Sequence, residues 1–417
     1  MLPATVAPRL TMSDMEPTLP GMSGRAEGAP VPSMATPGPA PRRRWPAQLL
    51  IVAVAGALII GIPTALATHY ANQYFLFSPG TAPVITASDQ CKPSLGELAL
   101  PDGSPCVRLV VPQGKAHTVD GKLLMVDVEV SQATPLNWAE YELGVLGKQR
   151  QLVPVAAYAG PTPTSELGCQ DTQEMVGANQ DAAITALESL HYHVAEVALG
   201  AEVDAVYAST PAWDAGIKCN DLITAVNGRA ITEAAQLIDL LKPIKPGTQV
   251  TLTDHPASGG AARQVKVRLV KPSASLVAQG FPNSSFLGVS VDTRVKPRLP
   301  FPVSIDAGDI GGPSAGLAFT LAILDALSSG NLTGGHIVAA TGTIATNGQV
   351  GDVGGVQEKT AAVEKAGAQV FFVPEVEYAT AERVAGKSLQ IVPVTTLRQV
   401  IEILQQRYGG HLSGLNS

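Results

Sequence analysis

The stretch TGTIATNGQVGDVGGVQEKTAAVEKAGA, residues 341–368, decides how the second half of the chain is built. Glycines at 342, 348, 351, 354 and 355 mark turns, and the pattern then changes to a helix over Gln357–Ala366. HIVAATG before it (336–342) and VFFVP after it (370–374) read as short buried strands. Working outward, LGVSV (287–291) and FPVSI (301–305) are further strands, and Pro313–Leu327 is a helix. QIVPV (390–394) and a helix over Thr396–Tyr408 close the chain. Strands alternating with helices predict a two-layer α/β domain over 286–408.

DIGGPSAGLAF, residues 309–319, carries the candidate chemistry. Pro313 suits the first position of a helix, and Gly311-Gly312 let backbone approach a ligand closely. Ser314 thus stands at a helix start whose unpaired N–H groups suit an oxyanion hole. Its proton needs a base. GPSAG matches G-x-S-x-G, but that scheme requires a later histidine. Only His336, at a strand entry, and His411, in a polar tail, follow Ser314. Lys359 is the other choice. Beside Ala361, Ala362 and Val363 its charged form loses solvation, its pKa falls, and it can accept the serine proton. Taken singly, a Gly-rich turn is usually only a turn and a helical lysine is usually solvated; the joint pattern carries the reading. Lys365 is the nearest competitor as base, and Asp306 and Asp352 read as turn or surface carboxylates.

GPSAG followed by T-G-x-I-x-x-x-G-x-V-x-x-V-G-G-V-x-E-K-x-A-A is similar to the proteolytic domain of Lon proteases, over residues 309–374. The resemblance implies Ser314 as nucleophile and Lys359 as general base, with Gly312 and Pro313 shaping the nucleophile loop. Thr341 stands where the family's Thr-Gly pair flanks the site. Lon usually has Asp-Gly before Pro-Ser, whereas this chain has Gly311-Gly312, which leaves Asp309 as the nearest acidic helper.

A second module is expected over 193–271, with strands at Glu202–Ala208 and Asp221–Val226, an Asn227-Gly228 turn and a helix at Thr232–Lys242. VDAVYASTPAWDAGIKCNDLITAVNGRAI resembles a PDZ domain of the bacterial type, with Asn220-Asp221 in place of Gly-Asp. PDZ domains take an extended chain along a sheet edge, which implies a peptide-recognition or gating role. Together these features look like the PDZ-containing, Lon-like envelope proteases of bacteria. That resemblance implies a PDZ domain inserted within the peptidase, so that 75–192 belongs with 286–408. KLLMVDVEV (122–130) reads as one half-buried strand, 159–180 as polar and turn-rich, and Asp181–Leu190 as a helix.

Residues 1–46, rich in Pro, Gly and Ser, read as a disordered cytoplasmic tail. Ala47–Ala67 holds no charge, and 21 residues span roughly 31 Å as a helix, about one bilayer core. Arg42, Arg43 and Arg44 precede it and the next Lys or Arg is Lys92, which places the catalytic part outside the cytoplasm on a single-pass anchor. A cleaved signal peptide ending at Ala65-Leu66-Ala67 is the rival reading. Cys91, Cys106, Cys169 and Cys219 all follow this segment, as disulfides in an oxidising compartment would; Cys91–Cys106 and Cys169–Cys219 are the preferred pairs. The chain of 417 residues carries a net charge of −7 and no basic aromatic stripe, which argues against nucleic acid. It contains no G-x-x-x-x-G-K-[ST], no H-E-x-x-H and no C-x-x-C, so neither ATP, metal nor cofactor is expected. Peptides or unfolded proteins are the expected substrates. The resemblance adds a homo-oligomer, and a non-catalytic PDZ scaffold with a relic peptidase domain is the alternative reading.

Overall fold

The computed structural model describes residues 64–413 except 88–90, 95–96, 113, 118–119 and 279–283. The expected disordered tail and residues 47–63 of the expected membrane span lie outside the described residues. The last four residues of that span open a short helix over 64–71. No helix among the described residues is long and apolar enough to cross a membrane.

One seven-stranded sheet organises much of the chain outside the second module. Its order is Ser304–Asp306, Cys106–Val110, Val84–Thr86, Lys122–Leu124, Ile337–Ala340, Val370–Pro374 and Gln390–Val394. Strands from both sides of residues 193–271 therefore share it. The last four strands run parallel, and such strands are stable only with both faces covered. The strand VFFVP shows the consequence. Val370 and Phe372 enter one core with the helix Gly316–Leu327, while Phe371 and Val373 enter the other with Ala362 and Val363 of the helix Val356–Lys365. Gly316–Leu327 is apolar nearly all round because it is sandwiched between the sheet and the helix Thr164–Ser189; its residues Gly316–Ala326 are all buried. The serine-bearing and lysine-bearing helices thus lie on opposite faces of one sheet.

Three local expectations change. KLLMVDVEV is not one strand: Lys122–Leu124 joins the large sheet and Val128–Gln132 joins a three-stranded sheet with Tyr74–Pro79 and Gln151–Pro154. Asp127 makes the break, since its carboxylate accepts from Thr81 N and Oγ1 at 2.8 and 2.6 Å. The turn-rich reading of 159–180 is replaced, from Thr164 on, by the first half of the helix Thr164–Ser189. The second module's sheet extends beyond residue 271, because Val289–Arg298 (the expected LGVSV strand) pairs antiparallel with Ala195–Val206 as its outer strand. Its own core, including Val203, Ile223, Leu237 and Leu252, is separate from the other two.

Both preferred disulfides are present. Cys91–Cys106 lies outside the second module, and Cys169–Cys219 joins the helix Thr164–Ser189 to that module.

Candidate active site

The site forms where the parallel strand Ile337–Ala340 ends, the usual position for a ligand in such sheets. Thr341 follows directly and is fully buried. Its Oγ1 donates to the Ser314 carbonyl at 3.1 Å, and the Gly342 N–H donates to the same oxygen at 2.9 Å. These bonds pin the short helical turn Pro313–Ala315 that carries the serine. Lys359 reaches across from its own helix, and its Nζ donates to Ser314 Oγ at 2.7 Å and to Thr341 Oγ1 at 3.3 Å. The structure thus brings Ser314, Lys359 and Thr341 together.

Lys359 is only 3% exposed. Burial lowers its pKa to about 8, against the opposing pull of the Asp127, Glu377 and Glu358 carboxylates. An amine so poised is neutral in part near pH 8 and, when neutral, can accept a hydroxyl proton. Glu358 is fully buried, and neither of its carboxyl oxygens has a hydrogen-bond partner among the described residues. Burial raises its pKa, while its own backbone N–H and the Lys359 charge pull the other way. Burial also raises Glu377, which accepts from the Val353 N–H at 2.9 Å.

The glycine pair has a steric cause. A Cβ at Gly311 would sit 2.7 Å from Asp171 Cβ, and Gly312 adopts φ 86° while donating its N–H to the Asp171 carbonyl at 2.8 Å. Pro313 has no N–H to offer. Among the described residues no acceptor takes the Ser314 N–H, which leaves it for a ligand oxygen. Asp309 lines the same cavity, of about 610 Å³, without a hydrogen bond to Ser314 or Lys359 among the described residues. Asp127 and Asp171 are the residues that sequence reasoning missed. No local pattern marks either one, because each acts through partners far along the chain. His336 bonds Gln369, and the backbone of His411 pairs with Asn331; neither imidazole has a hydrogen bond to Ser314 among the described residues. No group of His, Cys, Asp and Glu among the described residues could hold a metal ion.

Comparison with known proteins places these elements. Residues 299–407 match the Lon protease (S16) C-terminal proteolytic domain, and residues 202–253 match the PDZ domain. The Lon protease of Malacoplasma penetrans is 33% identical over 152 residues, which is 36% of this chain and 18% of that protein. The Lon protease of Mycoplasma mobile is 27% identical over 189 residues, 45% of this chain and 21% of that protein. The chain therefore spans about a fifth of the length of these curated relatives. The PDZ domain of an SdrC-like protein from Listeria monocytogenes is 22% identical with a TM-score of 0.19, covering 22% of this chain and 86% of that one.

Proposed function

Given that the chain carries a Lon-type proteolytic domain and a PDZ domain, we propose that it is a membrane-anchored serine endopeptidase working without ATP on peptides or unfolded proteins outside the cytoplasm. The observation that carries this reading is the buried Lys359 amine 2.7 Å from the Ser314 hydroxyl. Neutral Lys359 takes the hydroxyl proton as Ser314 Oγ attacks a peptide carbonyl, and the Ser314 N–H supports the oxyanion. The ammonium then returns that proton to the leaving amine, and water, activated by the same lysine, releases the acyl group. Thr341 is a positioning residue that holds both the serine backbone and the lysine amine.

The anchor and its orientation are supported by Arg42–Arg44 and the uncharged run that follows. Two disulfides after that run suit an oxidising compartment. Work without ATP is supported by the lack of a phosphate-binding P-loop motif in these 417 residues. The PDZ module offers the outer strand Val289–Arg298 as an edge for an extended peptide. The test is cleavage of an unfolded protein without ATP across pH 6 to 10 by wild type, Ser314→Ala and Lys359→Ala. Activity in wild type alone is expected; equal activity in all three removes the assignment.

A further inference from the structure

We propose that Asp171, with Glu174 beside it, selects substrates that carry an arginine or lysine immediately before the scissile bond. The inference deepens the peptidase reading and rests on it. The cavity that holds Ser314 and Lys359 has one apolar wall of Phe75, Phe77 and Tyr158. The Tyr158 ring meets each phenylalanine edge-on, with centroids 5.5 Å apart in both pairs. Asp171 and Glu174 also line this cavity; three residues apart on the helix Thr164–Ser189, they share a face of it.

Asp171 is tied to the reacting centre. Its carbonyl takes the Gly312 N–H at 2.8 Å, so its side chain belongs to the wall two residues from the nucleophile. The carboxylate of Asp171 has no hydrogen-bond partner among the described residues, whereas Asp127 is already committed to Thr81. Among the described residues Lys359 is the only cation in the lining, and it faces the serine.

A long cationic side chain fits this combination. Its aliphatic stem lies on the aromatic rings, and its charged head reaches the Asp171 carboxylate. Burial and then the Glu174 charge push the Asp171 pKa up, a cost that a bound cation would relieve. The Tyr158 phenol, raised to about 12 by burial and then by Asp171 and Glu174, registers the same negative field. A glutamate at that substrate position is repelled, and a neutral side chain of equal length loses the charge-assisted bond.

The test uses the full chain in detergent with fluorogenic peptides that differ only before the scissile bond: arginine, lysine, citrulline, leucine or glutamate. Citrulline keeps the shape of arginine without its charge. Arginine should exceed citrulline in kcat/KM by about tenfold to a hundredfold, as charge-assisted bonds do. Asp171→Asn should bring that ratio close to one, Glu174→Gln should reduce it in part, and Asp171→Glu should retain most of it. A wild-type ratio near one, or a ratio that survives Asp171→Asn, overturns the inference. Labelling of Ser314 by a serine-reactive phosphonate, run in parallel, separates the two possible failures. Labelled enzyme without the arginine preference sinks the specificity alone; enzyme that neither labels nor cleaves sinks the peptidase reading together with it.

Discussion

Replacing Lys359 by methionine tests the electrostatics of the site apart from any substrate. The folded protein holds this amine at a pKa of about 8 instead of 10.5. At about 1.36 kcal/mol per pH unit, keeping it charged costs the native state about 3 kcal/mol at pH 7. Methionine removes that cost and also the two hydrogen bonds to Ser314 and Thr341, about 1 kcal/mol each. At pH 7 the variant should therefore be about 1 kcal/mol more stable than wild type, although inactive. The pH dependence is the sharper part. A lysine with a lowered folded pKa penalises the native state below that pKa, and the penalty fades as pH rises from 8 towards 10.5. Over that window the folded protein has shed the proton while the unfolded chain still holds it. The stability gap between variant and wild type should then move by about 3 kcal/mol in favour of wild type between pH 7 and 10.5. Other titrating groups are common to both proteins and cancel. Urea titrations of both, in the same detergent, measure the gap. A gap that stays constant with pH would refute the argument, because it would mean that folding leaves the lysine pKa unchanged.

Asp127→Asn removes a carboxylate that favours the charged lysine, so the acid limb of the pH–activity profile should move to lower pH; a move to higher pH contradicts the assignment. Gly311→Ala places a Cβ 2.7 Å from Asp171 Cβ and displaces the nucleophile loop, for which kcat should fall by about a hundredfold. Unchanged turnover in that variant would show that the loop yields at little cost. Changing Cys169 and Cys219 together to serine opens a link across 50 residues and should cost up to about 4 kcal/mol, read as a lower urea midpoint; an unmoved midpoint would leave the link without a stabilising role.

The residues legible from sequence are those whose partners share a continuous motif. Ser314, Thr341 and Lys359 are separated by 27 and 18 positions and come together because one strand end supports both helices. What stayed hidden depends on distant pairing. Asp127 reads as a polar position in an alternating strand, yet it ends that strand by capturing Thr81, 46 residues away. Asp171 sits in a polar half-helix where apolar periodicity is absent; the buried residues of that helix begin only at Met175. Its first turns carry Cys169, bonded to the PDZ module, and Asp171 and Glu174, which line the cavity, so helical patterning gave no signal there. Val289–Arg298 looks like any strand of the peptidase part, and only its long ladder with Ala195–Val206 assigns it to the PDZ sheet.

The central claim is that a lysine with a depressed pKa activates Ser314. The most direct measurement is the rate at which a serine-reactive phosphonate modifies the protein, followed by peptide mapping, across pH 6 to 10 and without ATP. The account predicts an adduct on Ser314 whose rate rises with a midpoint near pH 8 and vanishes in Lys359→Ala. An adduct on another serine, or a rate on Ser314 that is indifferent to pH and to loss of Lys359, would contradict it.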